Sequence, residues 1–302
     1  MIESIDDLDS SSWEQEMDAY VARDGLLVVD GLNLAFRWKP RGKSVSSENN
    51  FAAHMVSMIN SLAKSYSCKK VVFLSDLKGS KYRKHIHPLY KSDRKKQFAN
   101  QTPEEAAASE AFFTYYQEVV IPLVAKNFTV LQFEGVEADD LACYIVEAFE
   151  GEDTFGHIWL ISTDGDWDEL LSEKCSRFAY SSRKEFTIDK FYEMKDCDSP
   201  EQFTHVKAIM GDLGDSVYGV PGIGAKRAFN LVREYGDVFG VIDALPIAGN
   251  QLFIKALNES EELLLLNLEL VDLRSFSTEA INFADSSNLT KIDKIVQEIR
   301  NA

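Results

Sequence analysis

Carboxylates recur in this chain where they can meet. Asp30, Asp76 and Asp164 each follow a short apolar run that reads as a buried strand: Leu26 to Val29, Val71 to Leu74 and His157 to Ile161. In an open parallel sheet, ligands bind in the crevice outside the carboxyl ends of the strands, so these three acids would share one rim. Glu137 and Asp140 stand three apart in the first turn of an expected helix and share a face, with Asp139 adjacent. Asp166 lies two residues past Asp164, and Asp212 and Asp215 form a further spaced pair. Carboxylates gathered without compensation repel one another, by about 4 kcal/mol per pair at 4 Å even at an effective dielectric of ~20. Divalent cations remove that cost, and an all-oxygen donor set suits Mg²⁺ or Mn²⁺. Two such ions can clamp the attacking and leaving oxygens of a phosphodiester. Taken singly, each acid also fits a plainer job, because Asp caps helices and Asp-Gly makes turns.

The elements that position these acids follow from the pattern. Beyond the three runs above, Phe128 to Phe133 reads as a strand, and Phe51 to Ser65 has helical apolar spacing. Thr102-Pro103-Glu104-Glu105 is a capping box with proline at the first helical position, opening a helix to about Lys126. Glu137 opens another helix through Phe149. Strands alternating with helices imply an α/β domain with a mostly parallel sheet over residues 24–199. From about Pro200 the texture is helix after helix, which sets a second, α-helical domain at 200–302. Residues 1–23 read as an acidic extension with a short helix around Trp13 to Val21.

The chain of 302 residues is 45% hydrophobic and 27% charged, which suits a folded protein with a sizeable core. Cys68, Cys143, Cys175 and Cys197 stand apart, so neither a disulfide framework nor a zinc site is indicated. The start lacks the basic and apolar segments of a signal peptide, and no apolar run could cross a bilayer, so a cytoplasmic protein is expected. A net charge of −17 argues against nucleic acid, but the charge is uneven. Lys78, Lys81, Arg83, Lys84, Lys91, Arg94, Lys95 and Lys96 crowd one segment that only Asp93 opposes. Such a segment is either an anion contact or a solvated face.

A second signal is Gly219-Val220-Pro221-Gly222-Ile223-Gly224-Ala225-Lys226-Arg227. Gly222 and Gly224 permit close backbone approach, and a helix starting near Ala225 offers its amides to phosphate, with Lys226 and Arg227 at the same end. An ordinary packed helix–turn–helix with surface lysines would look alike.

With Val29-Asp30-Gly31-Leu32-Asn33, Glu137-Ala138-Asp139-Asp140, Ser162-Thr163-Asp164-Gly165-Asp166-Trp167-Asp168, Met210-Gly211-Asp212-Leu213-Gly214-Asp215 and Gly222-Ile223-Gly224-Ala225-Lys226 in this order, the chain resembles the 5′ nucleases. That family includes flap endonucleases (5′→3′ exodeoxyribonucleases) of the T-odd coliphages, the 5′-nuclease domain of bacterial DNA polymerase I and the cellular flap endonucleases. The resemblance runs from about Leu26 to beyond Val271. It implies a PIN-like domain with a helical arch at about 78–118, followed by a helix-three-turn-helix domain. It implies that Asp30, Asp76, Glu137, Asp139, Asp140, Asp164, Asp166, Asp212 and Asp215 bind two or more divalent ions. Tyr90-Lys91-Ser92-Asp93-Arg94 matches the family's Tyr-Lys-x-x-Arg pattern. Lys91 and Arg94 would neutralise the scissile phosphate, pointing the same way if helical, and Tyr90 would stack on a base.

The resemblance also implies DNA contacts, expected at Arg37, Lys81, Arg83, Lys84, Lys95, Lys96, Lys207, Gly222, Gly224, Lys226 and Arg227. A K⁺ ion on backbone carbonyls near Val220 and Ile223 is expected as well. The expected partner is flapped, branched or 5′-ended DNA, RNA-primed strands included, and the expected protein is a monomer in phage replication, working in the host cytoplasm. The expected products carry 5′-phosphate and 3′-hydroxyl ends. Two alternatives share the resemblance: a DNA-structure-binding protein without catalysis, and a PIN-type ribonuclease. An aspartyl phosphatase would want an acid two residues after Asp30, where Leu32 stands.

Overall fold

The computed structural model describes residues 24–39, 51–94, 100–195 and 197–301. The acidic extension through residue 23 with its expected helix, and both Lys95 and Lys96, lie outside the described residues.

β1 (Gly25–Asp30) is buried along its whole length, as its unbroken apolar run requires. It leads into α1 (Gly31–Ala35), and then come α2 (Phe51–Ser65), β2 (Cys68–Leu74) and α3 (Lys81–Ile86). α4 (Pro103–Tyr115) starts at the capping box, with Thr102 Oγ1 accepting from the Glu105 amide and Glu105 accepting from the Thr102 amide. The helical run continues through a π-helical stretch (Tyr116–Val120) into α5 (Ile121–Ala125). β3 (Thr129–Leu131), α6 (Ala138–Glu150), β4 (Ile158–Ile161), β5 (Cys175–Ala179), β6 (Lys184–Phe186) and α7 (Ile188–Met194) complete the first half.

The six strands lie in the order β3-β2-β1-β4-β5-β6. All neighbours are parallel except β5 and β6. The chain steps outward from β1 through β2 to β3, then returns to place β4 on the other flank of β1. The carboxyl ends of β1 and β4 therefore border the point where the order reverses, the usual crevice of such sheets. Side chains alternate across the sheet. Leu27 and Val29 join α2, Phe112, Tyr116 and Val124 in one layer, while Leu26 and Val28 join α6 in the other.

The second half holds α8 (Pro200–Met210), a two-stranded hairpin of β7 (Gly211–Asp212) and β8 (Val217–Tyr218), α9 (Ala225–Tyr235), α10 (Val238–Asp243), α11 (Leu252–Asn258), α12 (Glu261–Val271), α13 (Leu273–Ala284) and α14 (Asn288–Arg300). Val206, Ile209, Val220, Ile223, Val232 and Leu264 share its core. Gly211 and Gly219 are obligatory at the hairpin's base. A Cβ on Gly211 would meet the Gly219 nitrogen at 2.3 Å, and one on Gly219 would meet the Met210 carbonyl carbon at 2.1 Å.

Two features depart from the sequence-based expectation. β5 and β6 extend the sheet where no strand was expected. Leu273, Ile281, Ile292, Val296 and Ile299 of the last two helices pack with α6 in the core of the first half. The helical half therefore does not stand apart, because its final hairpin covers one face of the sheet.

Candidate active site

The strand-end acids are fixed by local backbone. Asp30 caps α1, accepting from the Asn33 amide at 3.2 Å through Oδ1 and from Ser162 Oγ at 2.8 Å through Oδ2. Asp76 accepts from the Ala138 amide at 2.5 Å, tying the end of β2 to the start of α6. Asp164 caps the 3₁₀ turn Gly165–Leu170 by accepting from the Asp166 amide at 3.0 Å, and its own amide donates to Ser162 Oγ at 3.1 Å. Ser162 thus bridges Asp30 and Asp164. Asp139 accepts from Trp167 Nε1 at 2.7 Å.

These four acids feel one another. Burial, then the charges of Asp76 and Asp164, push Asp30 up to about 7. Burial and the Glu137 carboxylate push Asp76 up to about 6. Burial carries Asp139 well above the usual carboxylate range, with Asp164, Asp76 and Glu137 adding to it. Asp164 is raised by burial and by Asp166.

The remaining acids have protein cations beside them. Burial alone would raise Glu137, but Lys91 and Arg83 outweigh it and hold the carboxyl at about 2. Lys91 Nζ lies 2.8 Å from Glu137 and 3.5 Å from Asp215. Arg94 reaches Asp215 at 2.7 Å. Lys207 Nζ lies 2.6 Å from Asp166 and 3.2 Å from Asp212. Among the described residues, no three potential ligands already stand close enough together to hold a metal ion. The donor chemistry still fits hard divalent cations. The acids are all oxygen donors, they converge from five parts of the chain, and the four on the sheet side are raised by burial and by neighbouring carboxylates, which Lys91 offsets only in part.

Several expected roles need correction. Asp140 is fully buried, and both its oxygens are taken by the Arg83 guanidinium at 2.8 and 2.9 Å, with Ser277 Oγ at 3.3 Å. It is the acidic half of a buried ion pair, not a free metal ligand. Arg83 is likewise no DNA contact. It is buried, and its Nε donates to the Leu270 carbonyl at 3.0 Å, so it joins α3, α6 and the end of α12. Tyr90 cannot stack on a base as placed. It is buried, and its hydroxyl donates toward Glu137 at 3.0 Å and Asp215 at 2.9 Å. Lys207 sits among the acids, not on a DNA-facing surface, because only there can its ammonium be paired twice. Lys91 has a left-handed backbone (φ 54°), so helical spacing does not explain how it converges with Arg94. Asp215 draws both.

Of the other expected contacts, Lys81 pairs loosely with Glu134 at 3.7 Å, and Lys84 Nζ donates to the Lys78 carbonyl at 2.9 Å. Exposed Arg37 stacks over Tyr180 at 4.3 Å. Gly222 needs its freedom (φ +79°), whereas a Cβ on Gly224 would meet open space. Gly224 instead leaves the N-terminus of α9 uncovered, beside exposed Lys226 and Arg227. Arg227 stacks over Phe253 at 4.1 Å. The Val220 carbonyl already accepts from the Ile223 amide at 3.0 Å. Sequence reasoning missed Ser162 and Trp167 as supports of the acids, although both lie inside the Ser162–Asp168 motif.

A doubly wound sheet with buried strand-end acids, overhung by lysine and arginine and followed by a glycine-hinged helical hairpin, defines a PIN-like nuclease. The comparisons agree. The family profile described as 5′-3′ exonuclease, N-terminal resolvase-like domain, matches residues 25–196, and that described as 5′-3′ exonuclease, C-terminal SAM fold, matches residues 198–294. The flap endonuclease of Escherichia phage T5 is 45% identical over 294 residues, covering 96% of this chain and 99% of its own. A solved structure of the bacteriophage T5 flap endonuclease, a pseudo-enzyme-product complex with DNA and metal ions, superposes with a TM-score of 0.86 at 45% identity, covering 92% of this chain and 100% of that one. The T5 5′-exonuclease with bound zinc superposes with a TM-score of 0.83 at 45% identity, covering 91% and 99%. The chain belongs to the 5′-3′ exonuclease family and is a 5′ nuclease.

Proposed function

We propose that this protein hydrolyses phosphodiesters of 5′-flap, branched and 5′-ended DNA, using divalent ions, Mg²⁺ or Mn²⁺, held by Asp30, Asp76, Glu137, Asp139, Asp164, Asp166, Asp212 and Asp215. The observation that carries this reading is the convergence of these acids at one sheet edge directly beneath Lys91 and Arg94. Bound there, the ions would supply Lewis-acid stabilisation of the attacking and leaving oxygens.

The chain's own groups do the rest. Ser162 and the amides of Asn33, Ala138 and Asp166 hold Asp30, Asp76 and Asp164 at fixed angles, so little reorganisation is needed when substrate arrives. Lys91 and Arg94 hold the acids until a phosphate enters, then turn their charge to its non-bridging oxygens. Lys207 keeps Asp166 and Asp212 together in the same way. The open N-terminus of α9, with Lys226 and Arg227, grips a duplex backbone phosphate without reading sequence. A K⁺ ion on the Val220 and Ile223 carbonyls would strengthen that grip. The protein acts as a monomer, and RNA-primed 5′ ends are included among its substrates.

The test is a 5′-flap substrate labelled at either end and incubated with Mg²⁺ or with EDTA. Junction-sized products with Mg²⁺ and intact substrate with EDTA are expected. Cleavage that persists in EDTA, or binding without cleavage in Mg²⁺ and again when Mn²⁺ replaces it, would overturn the proposal.

A further inference from the structure

The β7–β8 hairpin faces two ways. One side offers Asp212 and Asp215 to the acid pocket. The other is joined to the basic segment through groups that no step above uses. The Asp93 amide donates to Ser216 Oγ at 3.1 Å, and the Tyr218 hydroxyl donates to the Asp93 carboxylate at 3.1 Å. Flanking them, the Lys91 amide donates to the Asp215 carbonyl at 2.8 Å, and Arg94 Nε donates to the Gly214 carbonyl at 3.3 Å.

The backbone at this seam is unusual on both sides. Lys91 (φ 54°) and Ser216 (φ 59°) are non-glycine residues in the left-handed region, which such residues occupy when their surroundings hold them there. Ser216 is fully buried, so its hydroxyl is fixed before it meets Asp93. Asp93 lies between Lys91 and Arg94 in sequence. Whatever fixes its backbone also fixes where the Lys91 ammonium and the Arg94 guanidinium enter the pocket.

We infer that Asp93, Ser216 and Tyr218 form a clasp of positioning residues, which holds the Lys91–Arg94 segment to the hairpin and so sets both cations over the acids. Asp93, the one acid in a strongly basic stretch, has this as its role. The clasp rests on the reading of Lys91 and Arg94 as phosphate-neutralising groups. It couples the two halves of the chain by a route independent of the buried Arg83–Leu270 and Ser277–Asp140 hydrogen bonds.

The test uses Tyr218→Phe. Tyr218 is half exposed and loses only a hydroxyl, so the fold stays intact, which a thermal melt checks. Single-turnover cleavage of the 5′-flap substrate in Mg²⁺ should fall roughly tenfold, since small misplacements of reacting groups are costly. The Kd for the same DNA in Ca²⁺ should stay within about twofold. Asp93→Ala should behave alike, while Asp93→Asn, which keeps an acceptor oxygen, should restore most of the rate. In a Lys91→Ala/Arg94→Ala background, Tyr218→Phe should cause no further loss, because the clasp acts through those two cations. A wild-type rate for Tyr218→Phe would overturn the clasp, as would an equal loss in that background. If the Lys91→Ala/Arg94→Ala background itself cuts normally, the reading beneath it fails, and the clasp with it.

Discussion

The acid pocket has two sides that differ in how their charge is met. On the sheet side, Asp30 is buried and Asp76, Asp139 and Asp164 are half-buried; all four are supported by hydroxyl, indole or amide donors and raised by desolvation and by neighbouring carboxylates. On the helical side, Glu137, Asp166, Asp212 and Asp215 each touch a lysine or arginine. Hydrogen bonds orient a carboxylate but supply no net positive charge, whereas an ammonium does both. The field of Lys91 reaches Asp76, Asp139 and Asp164 but leaves all three raised, so the sheet side has room for charge from outside the chain. The helical side is already neutralised and must give up a partner before it can take another.

That contrast gives predictions of graded size. Asp164→Asn removes a charge where nothing else in the chain can replace it. Cleavage should fall by on the order of 10³-fold or more, with DNA binding in Ca²⁺ nearly unchanged. Retained single-turnover activity would remove Asp164 from the ligand set. Lys91→Ala acts on the other side. It should slow single turnover by about 10²-fold while Kd shifts little, the mark of an interaction made in the transition state. A Kd that weakens as much as the rate would recast Lys91 as a binding group.

A smaller effect is readable by pH. Asp30 and Asp76, raised from 3.8 to about 7 and about 6, bind protons more tightly folded than unfolded. Their contribution to stability is fully present below pH 3.8 and is lost as pH rises through 6 to 7. Glu137 works in the opposite sense, but its contribution is already complete above pH 4.5 and does not change in that window. The metal-free Tm should fall between pH 5 and 8, and Ca²⁺ should raise Tm more at pH 8 than at pH 6. An equal Ca²⁺ effect at both values would contradict the raised sheet-side acids. The smallest effect is expected from Lys226→Ala, an exposed residue at the start of α9. It should weaken DNA binding by about threefold to tenfold at low salt and leave single-turnover cleavage unchanged. A rate defect there would mean that the hairpin does more than grip.

Much of this arrangement was legible in the sequence. The unbroken runs Leu26–Val29 and Val71–Leu74 read as strands covered on both faces, and acids following parallel strands would share a rim. What the sequence could not tell was which acids are free. Glu137 and Asp140 share a helix turn, and nothing local separates them. Arg83, far off in the chain, takes both oxygens of Asp140 and stands only 3.6 Å from one oxygen of Glu137, whose other oxygen meets Lys91. Lys207 gave no signal either, because an isolated lysine on a helix reads as surface until the fold turns it inward. β5 escaped notice because Arg177 interrupts its apolar pattern. The arginine is tolerated in the sheet because Asp168 accepts from its Nε at 2.7 Å and the Phe186 ring covers it at 4.2 Å. The packing of α13 and α14 on the first half was equally hidden, since an amphipathic helix announces that it has an apolar face and not what will cover it.

The central claim is that the sheet-side acids are drawn together to hold cations. Anomalous scattering from crystals grown with Mn²⁺ tests it most directly. The account predicts at least one strong peak within coordination distance of Asp30 and Asp164, with a second near the Lys91 and Lys207 carboxylate partners. Peaks confined to other surfaces, with Asp30, Asp76, Asp139 and Asp164 bare at saturating Mn²⁺, would contradict it.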